Sequence, residues 1–337
     1  MWARFVQHDL DPQDVLIFLR QFAAVDQAFL NKSLSPFYDI IQPDKFDDQS
    51  IMHLIGRANV AIGTRLTPAM IDASKHLRVL QSPNTGVDNI DLRLLEKNNI
   101  QLGTTHSSAP YVAEHCVAMV LSLIKKVALH DRLMRNGIHF HPRDFKQDRP
   151  LMSDSLIGKT VGFLGYGHIA REIAIRVSGF GVNMIATTRQ THIPEASVCS
   201  SASLDELLGQ SDLLIVSVPL TESTRNLLNA AKIATMKHGA YLVNISRAEI
   251  VDTDAVIHAL KNGQLGGAGF DVWQENNFPS DHRSLQQLID LDNVILSPHR
   301  AGTHRDFSPP LIGVAKNLIN YARVGALVSR ADLSTGY

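Results

Sequence analysis

The chain has 337 residues, more than one hydrophobic core usually organises, so we expect two domains. Hydrophobic residues make up 45% of it, which excludes a disordered or low-complexity chain. Its 32 Lys and Arg residues balance 33 Asp and Glu residues, and the formal net charge of −1 argues against a nucleic-acid partner.

Apolar runs such as Cys116–Leu121 are far shorter than the roughly 20 residues that cross a bilayer, so we expect no membrane partner. The segment Met1–Asp14 has acids where a signal peptide has its apolar core, which predicts a cytoplasmic protein. The two cysteines, Cys116 and Cys199, lack CxxC spacing, so neither a disulfide framework nor a cysteine zinc site is expected.

The first hundred residues show a weak α/β pattern. It predicts strands at Arg4–His8, Val60–Thr64, Arg78–Ser82 and Gln101–Thr105 and helices at Asp14–Phe22, Pro68–Ser74 and Leu92–Asn98. A long apolar helix follows over Pro110–Met134, and then a loop over Gly137–Asp154. The helix predicted at Pro309–Val324 ends at Gly325, and we expect it to return to this first domain.

From Thr160 onward, apolar strands alternate regularly with amphipathic helices. Strands that are apolar throughout are typical of a parallel sheet covered on both faces. The strands are predicted at Thr160–Leu164, Asn183–Thr188, Leu213–Val218, Ala240–Ser246, Ala268–Val272 and Val294–Ser297. Helices are predicted between them at Ile169–Ser178, Leu204–Gly209, Ala230–Met236 and Thr253–Asn262.

These patterns predict the α/β class, with two Rossmann-like domains that each contain a doubly wound parallel sheet and with a cleft between them. Residues 105–300 would form a dinucleotide-binding Rossmann domain. Residues 1–104, completed by 301–337, would form a flavodoxin-like substrate-binding, catalytic domain.

A glycine-rich motif, Gly165-Tyr166-Gly167-His168-Ile169-Ala170, follows the first strand of the second domain. Gly165 allows a tight turn, Gly167 lets a pyrophosphate approach the backbone, and Ala170 lets the helix pack closely on the strand. Because the motif lies between a strand and a helix, it predicts a dinucleotide site that includes Gly165, Gly167, His168 and Ile169.

The second strand of this domain ends in Thr187-Thr188-Arg189-Gln190, without the acid that accepts hydrogen bonds from the ribose hydroxyls of NAD. Thr188 and Arg189 can both bind a 2′-phosphate. NADP is therefore the favoured cofactor, and NAD stays an alternative.

Two strand ends carry residues suited to the reduction of a 2-oxo acid. Such a reaction needs an anchor for the substrate carboxylate and a proton donor for the developing alkoxide. Arg247 follows the fourth strand and offers a planar fork to a carboxylate, and His299 follows the last strand and can exchange a proton near neutral pH. A structural role for either residue is the alternative, and their pairing on what we take to be neighbouring strand ends favours catalysis.

Short motifs lie in order along the chain at Thr85–Asp91, Val112–His115, Gly158–Gly162, Gly165–Ala170, Pro219–Thr221 with Thr224, Asn244–Arg247, Gly269–Val272 and Ser297–Gly302. Through these motifs, and from about Val60 to Gly325, the sequence resembles the D-isomer-specific 2-hydroxyacid dehydrogenases. The resemblance implies an oxidoreductase that reduces a small 2-oxo acid, such as glyoxylate or hydroxypyruvate, by hydride transfer from NAD(P)H. It also implies a homodimer.

The resemblance implies a role for individual residues. Arg247 would bind the substrate carboxylate and carbonyl, His299 would be the acid/base, and Asp271 would hold the nicotinamide carboxamide. Further cofactor contacts would come from Val218, Pro219, Thr224, Ile245, Ser246 and Arg247. The backbone of the turn Thr85-Gly86-Val87 would contact the substrate carboxylate.

One position departs from the family pattern. A glutamate that pairs with the histidine is replaced by Asn276, and the nearest acid is Glu275, one residue earlier. Either Glu275 is shifted into the catalytic role or Asn276 occupies the position and His299 lacks a carboxylate partner.

Two other functions stay open on the sequence: a 3-phosphoglycerate dehydrogenase, and a dinucleotide-sensing, corepressor-like binding protein with weak catalysis. His139 and His141, with Asp144 nearby, could chelate a metal, but two spaced histidines are common by chance and no metal site is expected.

Overall fold

A computed structural model describes residues 14–138, 151–188, 199–273 and 283–335. The chain divides into two compact units, one of residues 1–108 with 304–337 and the other of residues 109–303. The predicted domain borders lay at 104/105 and 300/301, and the roles assigned to the two domains stay predictions. In the described part of the chain, no helix combines the length and the apolar character needed to cross a membrane.

The first unit contains a five-stranded parallel sheet in the order β2-β1-β3-β4-β5. Its strands are β1 Val15–Phe18, β2 Asp39–Ile41, β3 Val60–Ile62, β4 Val79–Gln81 and β5 Gln101–Gly103. Helices α1 Ala24–Leu34, α2 Asp48–Ile55, α3 Pro68–Ala73 and α4 Leu92–Lys97 alternate with these strands.

The helix predicted at Asp14–Phe22 is wrong, because this segment contains the inner strand β1. Leu16 and Phe18 lie in one hydrophobic cluster and Ile17 lies in another, so the sheet is covered on both faces. A short strand that is apolar on both faces has no period-2 alternation and cannot be told from a buried helix by periodicity alone. The strand predicted at Arg4–His8 lies outside the described residues.

The second unit contains a seven-stranded sheet in the order β12-β11-β10-β9-β6-β7-β8, with every pair parallel. Its strands are β6 Thr160–Leu164, β7 Asn183–Thr187, β8 Ser200–Ser201, β9 Leu213–Val216, β10 Ala240–Asn244, β11 Leu265–Phe270 and β12 Val294–Leu296. Its helices are α5 Ala109–Ile124, α6 Val127–Arg135, α7 His168–Val177, α8 Leu204–Gln210, α9 Ala230–Ala234, α10 Thr253–Lys261 and α11 Arg283–Ile289. These two sheets confirm the predicted α/β class with doubly wound parallel sheets.

The single helix predicted over Pro110–Met134 is also wrong, because α5 and α6 are separate. Lys126 has a left-handed backbone, with φ of 53°, between the two helices. One residue in that conformation interrupts the run of right-handed turns. Composition did not signal this break, since Lys is a good helix former.

Helix α12, Pro309–Val324, packs on the sheet of the first unit as expected. Its Asn317 is only 2% exposed. The Asn317 amide nitrogen donates to Gln81 Oε1 at 2.7 Å and to the Ser329 carbonyl at 2.8 Å, and its oxygen accepts from the Ser329 N–H at 3.0 Å. Gln81, at the end of β4, in turn donates to the carbonyls of Ser82 and Thr104. This amide pair fixes the carboxyl end of β4 from within the core.

We predict that Asn317→Leu lowers the free energy of unfolding by about 2–4 kcal/mol, because it leaves buried partners at Gln81 and Ser329 without their hydrogen bonds. Asn320→Leu is the matched control on the same helix, since Asn320 is partly exposed and its amide donates to the Ala326 carbonyl. Urea unfolding of both variants gives the comparison. Equal stability of the two variants would contradict the role assigned to the buried amide pair.

Candidate active site

The glycine motif forms the turn between β6 and α7. Gly165 has φ of 89°, and a Cβ added there would lie 2.7 Å from Val218 Cγ1 and 3.0 Å from the Val218 backbone nitrogen. Gly167 is the extended N-cap residue of α7, and no side chain caps this helix end. The first N–H groups of α7 therefore lack partners within the helix and form a site suited to an anion.

The turn lies where the strand order of the seven-stranded sheet reverses, between β7 on one side and β9 on the other. The Gly165 N–H donates to the Thr187 carbonyl at 2.9 Å, and the Ser217 hydroxyl donates to the Gly165 carbonyl at 2.9 Å. Both flanking strands therefore hold the turn. Ligands of open α/β sheets bind at the carboxyl edge at such a reversal.

His168 begins helix α7 and is exposed. Desolvation lowers the pKa of His168, the positive charge of Arg171 lowers it further, and Glu172 opposes the shift. The lowered pKa favours the neutral form of the imidazole. The groups of this turn that are suited to an anion are therefore the backbone N–H groups at the start of α7.

The predicted cofactor residues after β9 and β10 are connected by hydrogen bonds. The Ser246 hydroxyl donates to the Val218 carbonyl, and the Thr224 hydroxyl donates to the Pro219 carbonyl at 2.6 Å. Ile245, between β10 and Ser246, is buried. The structure therefore brings the loops after β9 and β10 together at the carboxyl edge of the sheet.

Arg247 is held by a turn that a buried asparagine closes. Asn244 accepts a hydrogen bond from the Ser246 N–H at 3.0 Å and donates to the Arg247 carbonyl at 2.8 Å. The guanidinium of Arg247 donates to the Ser246 carbonyl at 2.9 Å and is partly exposed. Asn244 has no predicted role in the sequence, although a polar residue at the end of an apolar strand indicates a fixed turn.

His299 lies in the loop after β12, is exposed, and has a left-handed backbone with φ of 57°. The two residues that follow it are fixed by Asp271, at the end of β11. The carboxylate of Asp271 accepts the N–H of Arg300 at 2.9 Å and the N–H of Ala301 at 3.0 Å. Asp271 is 1% exposed, and its predicted contact with the nicotinamide stays a prediction.

The expectation that Arg247 and His299 follow neighbouring strands is wrong. Strand β11 separates β10 from β12, so their strand axes are roughly 10 Å apart at ordinary strand spacing. That expectation left out the strand predicted at Ala268–Val272, which lies between the two strands in sequence and, as β11, also in the sheet. Asp271, at the end of β11, lies between the two residues in sheet order.

The turn Thr85-Gly86-Val87 follows β4 in the first unit. The Thr85 hydroxyl donates to the Thr105 carbonyl at 2.7 Å, and Val87 is buried. Thr85 and Gly86 are partly exposed. The contact of this turn with a substrate carboxylate stays a prediction.

Several predicted residues lie outside the described part of the chain: Arg189, Glu275, Asn276, His139, His141 and Asp144. Thr188 is described and lies, partly buried, directly after β7. Among the described residues, no cluster of His, Cys, Asp and Glu could hold a metal ion.

A family model for the NAD binding domain of D-isomer specific 2-hydroxyacid dehydrogenases matches residues 117–301. The chain belongs to this family. This confirms the predicted family and the prediction of an enzyme, an NAD(P)-dependent D-2-hydroxyacid dehydrogenase.

Two named relatives align with most of the length of this dehydrogenase. It is 31% identical over 304 residues to a hydroxypyruvate reductase of Thermotoga maritima, covering 88% of this chain and 91% of that protein. It is 32% identical over 272 residues to a glyoxylate reductase of Pyrococcus furiosus, covering 78% of each. Among solved structures, the PH0520 protein from Pyrococcus horikoshii superposes with a TM-score of 0.81 at 26% identity, covering 95% of both chains.

We predict that Gly165→Ala weakens NAD(P)H binding by about tenfold or more and lowers the free energy of unfolding by about 1–3 kcal/mol, since its Cβ is strained and meets Val218. Gly209→Ala is the control, because a Cβ at this helical position meets nothing within 4 Å. Nucleotide fluorescence titration and urea unfolding measure the two effects. Unchanged NAD(P)H affinity in Gly165→Ala would rule out the turn as the nucleotide site.

Proposed function

We propose that this enzyme reduces a small 2-oxo acid to the D-2-hydroxy acid with hydride from NAD(P)H, and that glyoxylate and hydroxypyruvate are its substrates. The observation that carries the proposal is the shared edge of the sheet. Arg247, Asp271 and His299 follow three adjacent parallel strands at the same carboxyl edge as the Gly165 turn. The named relatives, a hydroxypyruvate reductase and a glyoxylate reductase, support this substrate class.

The residues at the sheet reversal fit a dinucleotide. The tight turn at Gly165, where a Cβ would meet Val218, leads into the uncapped start of α7, and this helix start suits a pyrophosphate. When bound, the reduced nicotinamide supplies the hydride that reaches the carbonyl carbon of the substrate. Val218, Pro219, Thr224, Ile245 and Ser246 would line the site.

Arg247 and His299 would have separate roles, in binding the substrate and in proton transfer. The guanidinium of Arg247 would bind the substrate carboxylate through two parallel hydrogen bonds and orient the carbonyl group. His299 would donate a proton to the carbonyl oxygen as negative charge develops there. Asp271 would hold the backbone after His299 in place. The pairing of Glu275 with His299 stays a prediction from the sequence.

For the cofactor we propose a preference for NADPH, with NADH as the weaker donor. The support is the sequence after β7, where Thr188 and Arg189 stand and no acid is present. A carboxylate at this position would bind the ribose hydroxyls of NAD and repel a 2′-phosphate.

We further propose that the enzyme is a homodimer, which rests on the family resemblance. The reductase relatives favour 2-oxo acid reduction over a phosphoglycerate dehydrogenase and over a corepressor-like binding protein.

We predict that His299→Ala lowers kcat for glyoxylate or hydroxypyruvate by about 10²–10⁴, because it removes the proton donor. NAD(P)H affinity should not change, since His299 is not among the nucleotide-binding residues. His258→Ala is the control, since His258 is an exposed histidine on α10 of the same unit. Steady-state assays with a panel of 2-oxo acids measure the effect, and a wild-type kcat in His299→Ala on every acid would refute the proposal.

We also predict a higher kcat/KM with NADPH than with NADH, and expect Thr188→Asp to lower the NADPH value by about tenfold, because the new carboxylate repels the 2′-phosphate. The same variant should keep or improve the NADH value. Arg189→Gln tests the other residue that we propose to bind the 2′-phosphate. Initial rates with NADPH and with NADH give the cofactor preference of each variant. A wild-type enzyme that favours NADH would show that the preference is wrong.

A further inference from the structure

The loop from Ser297 to Ala301, here called the histidine loop, holds His299 in a conformation that only a few residue types adopt readily. Hydrogen bonds hold the histidine loop on both sides of His299. On the N-terminal side, the Ser297 N–H donates to the Phe270 carbonyl at 2.9 Å, and the Trp273 indole donates to the Ser297 carbonyl at 2.8 Å. On the C-terminal side, the N–H groups of Arg300 and Ala301 donate to the carboxylate of Asp271.

One side chain outside the loop contacts both of these anchors. His115 lies on α5, and its Nε2 is 2.9 Å from the Ser297 hydroxyl. The same Nε2 lies 3.7 Å from Oδ1 of Asp271. His115 therefore lies against the residue two positions before His299 and against the carboxylate that holds the two residues after it.

The carboxylate of Asp271 is a buried charge, and a buried charge needs compensation. Two backbone N–H groups supply part of it, and the His115 imidazole lies next to them. Burial first, and then the negative charge of Asp271, raise the pKa of the Cys116 thiol to about 12, so this neighbour stays a neutral thiol. Among the described basic side chains, the imidazole of His115 is the one that lies within 4 Å of the Asp271 carboxylate.

We propose that His115 is a positioning residue for the acid/base His299, which it orients through Ser297 and Asp271. The inference rests on the proposed function. Loss of the His115 imidazole removes the side-chain hydrogen bond at Ser297 and leaves the Asp271 carboxylate without its neighbouring ring. The histidine loop then moves more freely, and His299 spends less time aligned with the carbonyl oxygen of a bound substrate.

The main test compares His115→Phe, which keeps a ring without nitrogen atoms, with His115→Gln, whose amide can replace the hydrogen bond to Ser297. We expect His115→Phe to lower kcat by roughly tenfold or more, with KM and the Kd of NAD(P)H within about twofold of wild type. His115→Gln should recover most of the loss. The matched control is His130→Phe, because His130 of α6 also bonds a loop, at the Leu151 carbonyl, away from the histidine loop.

A second measurement does not depend on activity. Amide hydrogen exchange at Arg300 and Ala301 should be roughly five- to tenfold faster in His115→Phe than in wild type, since local opening of the loop becomes easier by about one hydrogen bond. His130→Phe should leave these two amides unchanged. Ser297→Ala removes the same hydrogen bond from the other side, so its effect on kcat should not add to that of His115→Phe.

The outcomes separate this inference from the proposed function. A fully active His299→Ala variant overturns the function and the positioning role with it. An impaired His299→Ala variant beside a His115→Phe enzyme with wild-type kcat and wild-type exchange overturns the positioning role alone. Equal losses in kcat, KM and nucleotide affinity, or full additivity with Ser297→Ala, would also overturn it.

Discussion

The rest of the site depends on the hydrogen bonds that the buried carboxylate of Asp271 accepts from Arg300 and Ala301. Asp271 lies at the end of β11, between the strand that leads to Arg247 and the strand that leads to His299. By accepting the N–H groups of Arg300 and Ala301, it connects one strand end to the loop of the next. Hydrogen bonds to a charged acceptor are stronger than neutral ones, so this connection is well suited to fix a loop.

The Gly165 turn, the proposed nucleotide site, depends on a different constraint, the reversal of strand order at β6 between β7 and β9. Because consecutive connections leave in opposite directions at that point, no crossover covers the carboxyl end of β6. The Gly165 turn and the first turn of α7 are thus left open for a ligand. The parallel sheet places this opening and the residues after β10, β11 and β12 at one edge, so one fold can present the proposed nucleotide site and the proposed catalytic groups together.

Much of this could be predicted from the sequence. All six strands predicted in the second unit are found, because each is an apolar run with a turn signal behind it. The short edge strand β8, Ser200–Ser201, was missed because it is polar and exposed. In the first unit, β1 was mistaken for a helix, because its four residues give no clear period. Local patterns therefore predict elements best where burial is complete and the turn residues are distinctive.

The contacts within the site could not be predicted, because they join residues far apart in sequence. His115 and Ser297 are separated by 182 positions, and nothing in either motif marks them as partners. Family motifs named the residues to examine, but only the tertiary structure shows which of them touch.

The left-handed backbone of His299 illustrates how such contacts offset a local cost. A residue other than glycine in that conformation is disfavoured by roughly 1–2 kcal/mol. Each hydrogen bond to a charged group contributes about 1.5–3 kcal/mol, and Asp271 accepts two of them from the residues that follow. The two bonds outweigh the strain even at the lower end of that range. A histidine at this position can therefore keep a conformation that exposes its imidazole, since the surrounding side chains, and not its own backbone preference, determine it.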